Sequence, residues 1–329
     1  MTKVELAAGG GYYLDPERSM ADRPEGSTKP YLLVDVGALN PIFAMANVDG
    51  GIDGIDNPEA PFDGDEWALQ LSLPIAFHLL WDAFAPNNPI LDTDYTFGFD
   101  LAGRYALTRR LEVRAGTSWG HISTHLGDEY VIAARADRSG VPFDRVNVSY
   151  WPLRLQAGLR RTWVGSPTKP VTRWLLDLNG ELEYPNRPRS LSELTKPPGE
   201  YYELFPGESD PRRVPPAPSA VEPALTVDWR DYGAAGMGGD ANKASRVGYW
   251  RVATTLAWRT VFPYHYERTT PARKLSVDVV AGRAFGTRLK LGARQAMLYG
   301  RVYRGPNPYG QFRNDPSTTF ASLGLAIVP

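Results

Sequence analysis

The chain of 329 residues contains no cysteine. This absence excludes disulfide scaffolds, thiolate zinc sites and cysteine nucleophiles together. It also suits a protein that crosses an oxidising compartment without needing disulfide bridges. Any catalytic site must therefore use another nucleophile.

Long hydrophobic runs are missing as well. Charges interrupt every apolar segment, so none approaches the roughly 18 consecutive apolar residues of a transmembrane helix. Any membrane crossing must therefore use strands. Residues 1–13 also lack the charged and then apolar leader that directs export. We expect that an exported form has lost its leader or carries it upstream of the given start; the alternative is a cytoplasmic protein.

A large charge of one sign is the third absence. Charged residues make up 22% of the chain, yet they nearly cancel to a formal net charge of -1. Nucleic-acid binding through phosphate neutralisation therefore has little support. The glycine-rich stretch at 236–239 lacks the lysine and following helix of a phosphate loop, so nucleotide binding is not indicated either.

What the sequence does contain is alternation with a period of two. Between residues 95 and 107 the odd positions are mostly aromatic or aliphatic, whereas the even positions include Thr96, Asp100 and Arg104. Such alternation predicts strands rather than helices. Comparable runs begin near residues 4, 31, 67, 111, 151, 174, 224, 250, 275, 293 and 320.

These runs predict about twelve strands, several of roughly 10 to 14 residues, which matches the roughly 9 to 11 tilted residues that cross a bilayer. We therefore predict an all-β fold, a transmembrane antiparallel up-and-down β-barrel of outer-membrane type, as one domain over residues 1–329. The apolar face would contact lipid and the charged face would line the lumen. The alternative is a soluble all-β binding protein, whose strands also alternate.

The connections between the predicted strands alternate in length for the most part. Short ones are assigned to the periplasm and long ones to the cell exterior. The short connections lie near residues 108–109, 165–170 and 286–290, and the long ones near 126–144, 186–220 and 304–316. The Pro-rich part of segment 186–220 is predicted to be a loop within the barrel rather than a domain linker.

Three segments together carry a resemblance to a known family. The segments are, in chain order, DTDY at 92–95, HISTHLGDEY at 121–130 and GPNPYGQF at 305–312. As a set they resemble the bacterial family known as domain of unknown function 1207. The resemblance runs from about Met20 to the end of the chain. It implies an exported, outer-membrane β-barrel without an established activity. The chain departs from the pattern in lacking a leader and in ending with Pro329 instead of an aromatic residue.

A candidate catalytic pair is formed by His121 and Ser123. In a strand, residues i and i+2 share a face at about 7 Å, near enough for an imidazole to act as general base for a serine hydroxyl. Both residues have the parity of Trp119, which predicts that they face lipid. The pair is similar to the His-x-Ser pair of outer-membrane phospholipases and lipid A deacylases. The alternative is that His121 is an interfacial anchor beside Trp119.

The rest of this hypothetical site comes from the following segment. Asn147, on the next strand, could orient the imidazole. Asp128 and Glu129 could hold calcium, a cation that prefers carboxylates, although a solvated acidic turn is the alternative. The sequence thus allows a lipid hydrolase, with outer-membrane lipids as the expected partners.

The predicted lumen face carries charges of both signs. A porin needs an open constriction, usually lined by one sign, whereas opposite charges in a narrow barrel pair and obstruct it. We therefore predict a structural, binding or narrow-transport role, with an obstructed lumen favoured over a selective pore. The predicted inward set is Asp100, Arg104, Glu112, Arg114, Arg154, Arg160, Asp177, Glu181, Glu183, Arg251, Arg259, Asp278 and Arg294.

Overall fold

The computed structural model describes most of the predicted strands and part of their connections. Its residues are 2–10, 29–47, 66–81, 90–126, 148–166, 169–184, 221–233, 248–261, 272–286, 295–306 and 318–328. No helix within these ranges is long and apolar enough to cross a membrane. The strands are β1 (Thr2–Gly10), β2 (Lys29–Asn47), β3 (Trp67–Trp81), β4 (Ile90–Thr108), β5 (Leu111–Leu126), β6 (Val148–Tyr150), β7 (Leu153–Ser166), β8 (Lys169–Tyr184), β9 (Glu222–Asp231), β10 (Tyr249–Val261), β11 (Ala272–Gly286), β12 (Gln295–Gly305) and β13 (Thr318–Val328).

The strands pair antiparallel with their neighbours in the sequence, and the pairings form a ring. β4 pairs with β5 along its length, β5 pairs with β7 on its other side, and the last strand, β13, pairs with β1. Because every strand is followed around the ring by the next one along the chain, the topology is up-and-down. The predicted fold class, an all-β antiparallel barrel, is confirmed.

One strand of this ring is interrupted, which the sequence pattern did not reveal. β6 and β7 both pair with β5, and they share one register, since Ile122 lies opposite Tyr150 and Trp119 lies opposite Leu153. The interruption contains Pro152, which has no N–H to donate to a ladder. Its carbonyl oxygen still accepts a hydrogen bond of 3.2 Å from Gly120 N. β6 and β7 therefore fill a single position, and the ring of the described residues has twelve strand positions.

The outer face of the ring is apolar. Large hydrophobic side chains are exposed on most strands, with Leu323 at 69% and Leu298 at 60% of their full accessible area. On β4 between residues 95 and 107 the exposed set follows the odd parity that the sequence indicated. This set is Tyr95, Phe97, Phe99, Leu101, Tyr105 and Leu107.

The inner face is polar and charged, which is the reverse of a soluble barrel. Arg160, Asp177 and Asp228 are at most 5% exposed and stand on the parity opposite to the outward apolar residues. An aromatic and aliphatic cluster that includes Leu175, Tyr232, Tyr249, Met297 and Tyr299 is also buried. The predicted inward set lies on this face, apart from Arg294, which is outside the described residues.

The two ends of the ring differ, and we name them by their connections. At the turn end, β4 and β5 are joined by Arg109 and Arg110 alone, and β7 and β8 by residues 167–168. At the opposite, loop end, β8 and β9 are joined by residues 185–221. The predicted loop 186–220 is outside the described residues.

Candidate functional site

His121 and Ser123 lie on the outer face of β5, near its loop end. Trp119, two residues before His121, is 48% exposed on that face, whereas Glu112 and Ile122, of even parity, are buried toward the lumen. The parity argument from the sequence therefore placed the pair on the correct face. Their catalytic role stays a prediction.

Aromatic side chains surround the imidazole. The ring of His121 lies 4.6 Å from that of Trp151 and 5.1 Å from that of Phe97, measured between centroids. Trp119 and Trp151 stack at 5.0 Å. We call Phe97, Trp119, His121 and Trp151 the outer aromatic cluster. These contacts fix the imidazole on the outer wall, level with the interruption between β6 and β7.

The wall beneath this cluster is thin because two glycines face each other there. Gly98 lies opposite Gly120, and a Cβ added to Gly98 would come within 2.5 Å of the Gly120 Cα atom. A cavity of about 230 Å³ adjoins the same region. Its lining includes Thr96, Asp100 and Ser118 of the inner face together with Pro152. The outer aromatic cluster thus packs over two glycines, which place no side chain on the inner face of the wall.

The structure does not describe the other predicted site residues. Asn147, Asp128 and Glu129 lie outside the described residues, so their predicted roles stay predictions. The described partner opposite Ser123 is Ser149 of β6. No group of three or more histidine or acidic residues in the described part of the chain is placed to hold a metal ion.

The inner wall carries a second candidate site, a network of ion pairs at the turn-end half. Arg160 donates two hydrogen bonds to Asp177, at 2.7 and 2.8 Å. Arg114 contacts Glu112 at 2.6 Å and lies 3.9 Å from Asp177. The same carboxylate is 4.0 Å from Arg230. Asp177 therefore joins guanidinium groups from β5, β7 and β9.

The network continues around the wall. Arg230 and Arg251 both contact Asp228, at 3.1 and 2.9 Å. Toward the loop end, Arg154 contacts Glu183 at 2.8 Å. The sequence predicted pairing across the lumen, but these contacts lie within one strand or join strands that are adjacent or next but one. Cross-strand neighbours lie about 5 Å apart, much closer than opposite walls of a twelve-stranded barrel, so pairing along the wall dominates.

A cavity of about 270 Å³ opens on the inner wall between β3 and β8. Its polar lining is Gln70, Arg104, Arg114, Gln156 and Asn179, and its other lining residues are alanine and glycine. Small side chains leave the space, while guanidinium and carboxamide groups supply hydrogen-bond donors. The lining contains no carboxylate among the described residues, although Glu112 contacts Arg114 beside it.

Sequence reasoning identified many charged members of this wall, but it missed Asp228 and Arg230 and did not give the arrangement. The two arginines of the cavity, Arg104 and Arg114, are directly opposite each other on β4 and β5. Asp35 and His78, a hydrogen-bonded pair on β2 and β3, was also missed. Parity gives the face of a residue, but only the register between strands gives its neighbours.

Comparisons with known proteins find similar structures but no matching sequence. No family model and no curated protein matches the chain. The outer membrane phospholipase A from Escherichia coli is similar in structure, with 10% identity and a TM-score of 0.46 over 100% of this chain and 89% of that one. The transport unit of the autotransporter AIDA-I from Escherichia coli has 9% identity and a TM-score of 0.36, over 100% and 89%.

A Pseudomonas aeruginosa FadL homologue is similar at 11% identity and a TM-score of 0.35, over 98% of this chain and 88% of that one. Likenesses this distant carry no argument about activity. The resemblance to the family known as domain of unknown function 1207 likewise stays a prediction. The structure by itself describes a twelve-position antiparallel barrel with an apolar outer face and a charged inner face.

Proposed function

We propose that this chain is an integral β-barrel of the bacterial outer membrane, with a lumen that binds small polar solutes or passes them slowly. The observation that carries the proposal is the inversion of the two faces. Large apolar side chains such as Leu323 are exposed around the ring, while Arg160 and Asp177 are buried inside it. A continuous apolar surface of this kind favours contact with lipid over water.

Strand length and aromatic placement support the same location. Apart from the short β6, strands run from 9 to 19 residues, enough for the roughly 9 to 11 tilted residues that cross a bilayer. Aromatic side chains lie near both ends of the ring, as in barrels with interfacial girdles. Examples are Trp151 and Trp258 near the loop end and Trp163, Trp174 and Trp250 near the turn end.

Binding or slow passage of a small solute fits the inner wall better than free diffusion through an open pore does. The ion pairs of Asp177 and Asp228 hold four arginine side chains and these two aspartates against the wall. Guanidinium groups held in this way present fixed donors rather than mobile charges. The adjoining cavity of about 270 Å³ is large enough for a small solute.

Membrane fractionation and gel migration test this proposal. We expect the chain in the outer-membrane fraction, with faster migration before boiling than after it. In planar bilayers we expect small conductance steps or none. A monomer that stays soluble without detergent would overturn the membrane location, and large, unselective conductance would overturn the narrow lumen.

A second candidate function is lipid hydrolysis by His121 and Ser123, and it is favoured by their shared position on the outer face. In this reaction the Ser123 hydroxyl attacks an acyl ester carbonyl while His121 accepts the hydroxyl proton. The proton then passes to the leaving alcohol, and water hydrolyses the acyl-serine with His121 again acting as base. Asn147 would orient the imidazole, and calcium held by Asp128 and Glu129 would stabilise the oxyanion.

Release of fatty acid from phospholipid and from lipid A, with and without calcium, tests the second candidate. Ser123→Ala and His121→Ala should each abolish the release. Ser149→Ala is the matched control because Ser149 is paired with Ser123 in the strand register, and it should retain activity. Hydrolysis that survives Ser123→Ala would remove the site, and the absence of hydrolysis in the wild type would remove the reaction.

A further inference from the structure

Four arginines and two tryptophans gather at the turn end of β5, β7 and β8. Trp163 of β7 lies directly opposite Trp174 of β8. The guanidinium carbon of Arg161 is 5.3 Å from the centroid of Trp163, and that of Arg173 is 4.7 Å from the centroid of Trp174. We define the turn-end basic patch as Arg109, Arg110, Arg161, Trp163, Arg173 and Trp174.

The turn between β4 and β5 carries the other two arginines of the patch. Arg109 and Arg110 are exposed in the connection between β4 and β5. The backbone N–H of Thr162 donates to the Arg110 carbonyl oxygen at 3.0 Å, and Leu111 lies opposite Arg161. The turn is therefore fixed to the strand that carries Arg161.

The patch is positive on balance. A carboxylate approaches it from β9, where Asp231 lies 4.0 Å from Arg173. This distance is at the limit of an ion pair, and Arg173 remains 39% exposed. Among the described residues, the four guanidinium groups of the patch outnumber the Asp231 carboxylate and give a local field that attracts anions.

Stacking prepares the two strand arginines for a phosphate. A guanidinium group that lies over an indole ring keeps its N–H donors at its edge, where they can form paired hydrogen bonds with phosphate oxygens. The stacking also restricts the side chain before binding, which lowers the entropy that binding must overcome.

The surface beyond the patch is apolar along the same strands. Leu159 and Leu155 precede Arg161 on the outward parity of β7, and Leu178 follows Trp174 on β8; all three are exposed. A molecule with its phosphate at the patch can therefore lay hydrocarbon along these side chains. This combination of charge and apolar surface matches a phospholipid better than a soluble anion.

We propose that the turn-end basic patch binds the headgroup phosphate of an anionic diacyl phospholipid in the leaflet at that end of the barrel. The inference rests on the proposed membrane location. Guanidinium edges hold the phosphodiester, the indoles lie at the level of the headgroups, and the acyl chains follow the leucines of β7 and β8.

Native mass spectrometry of the full chain in detergent tests the proposal, with dioleoylphosphatidylglycerol and dioleoylphosphatidylcholine as probes. The wild type should bind phosphatidylglycerol more tightly than phosphatidylcholine. Arg161→Gln combined with Arg173→Gln should weaken phosphatidylglycerol binding about 30-fold, at about 1 kcal/mol for each cation near the headgroups and 1.4 kcal/mol per tenfold. Binding of phosphatidylcholine should not change.

Arg283→Gln is the matched control, because Arg283 also stacks on an outward tryptophan, 5.3 Å from the centroid of Trp250. It should leave the binding of phosphatidylglycerol unchanged. If the double variant does not fold, Arg109→Gln combined with Arg110→Gln changes exposed turn residues and should weaken phosphatidylglycerol binding in the same direction. An equal effect of the control, or an unchanged affinity in a folded patch variant, would overturn the site.

Two further outcomes concern the occupant. Displacement of phosphatidylglycerol by inorganic phosphate at a similar concentration would show an anion site without lipid preference, and tighter binding of lipid A would assign the patch to the other leaflet; either result overturns the proposal. A heat-modifiable barrel without preference for phosphatidylglycerol rejects the patch alone, whereas a detergent-free soluble monomer rejects the proposed function.

Discussion

Asp177 shows how one residue can organise a charged interior. Its carboxylate accepts two hydrogen bonds from Arg160 and lies near Arg114 and Arg230. Both partners of the central pair are almost fully buried, with side chains at most 5% exposed. At this depth water screens the interaction weakly, and each charge depends on the other for compensation.

Removing this carboxylate should therefore be costly. We expect Asp177→Asn to lower the free energy of unfolding by about 3 kcal/mol, because it leaves the buried Arg160 charge without its main partner. Denaturant unfolding in lipid vesicles, followed by tryptophan fluorescence, measures the change. Glu181→Gln is the control, since its side chain is 33% exposed and 3.9 Å from Arg154, and it should cost less than about 0.5 kcal/mol. Equal losses in both variants would contradict the central role of Asp177.

Within each strand of the barrel, side chains alternate closely between the two faces. The distance between two neighbouring strands depends on the residues that face each other. On β4 and β5 the glycine pair Gly98 and Gly120 removes side chains from the inner face beneath the outer aromatic cluster. An added methyl group at Gly98 would meet backbone atoms of Trp119 and Gly120 at 2.5 Å. Backbone cannot move aside as a side chain can, so the two strands would have to shift.

We expect Gly98→Ala to destabilise the barrel by about 1–3 kcal/mol through this overpacking. The strain should also displace the outer aromatic cluster, which near-ultraviolet circular dichroism detects. Gly180→Ala on β8 is the matched control, because its Cβ would meet its nearest atom, the Ala157 carbonyl oxygen, at 3.8 Å. A Gly98→Ala protein with unchanged stability and spectrum would show that the strands tolerate the added methyl group.

The whole molecule is defined by which of its faces contacts lipid. Leu323, in the middle of β13, is 69% exposed on the outer face. In water an arginine at such a position would cost little, but on the lipid face of a barrel it costs about 2–4 kcal/mol at the bilayer midplane. One substitution therefore distinguishes a membrane barrel from a soluble one.

We expect Leu323→Arg to lower the stability of the barrel in vesicles by about 2–4 kcal/mol. Thr319→Arg, on the same strand and face but at the loop end, should cost about 1 kcal/mol or less because it reaches the interface. Reversible unfolding from vesicles gives both values. Equal, small effects of the two substitutions would indicate that the outer face is in contact with water.

The alternation in the sequence by itself determined the fold class, the approximate number of strands and the face of many strand residues that the structure describes. A period of two fixes the face locally, because successive side chains of a strand point in opposite directions. For this reason much of the charged inner set and the outward position of His121 and Ser123 could be predicted without coordinates. Glycine and proline effects were less visible, and the interruption at Pro152 was not predicted.

The tertiary structure alone decided which residues meet across strands. The pairing of Arg160 with Asp177, the approach of Gly98 to Gly120 and the position of Trp163 opposite Trp174 all depend on register. Register is a relation between two segments that are distant in sequence, and a shift by one residue would exchange the faces of a whole strand. It is set by closing all twelve positions into one ring, and no single strand contains that information.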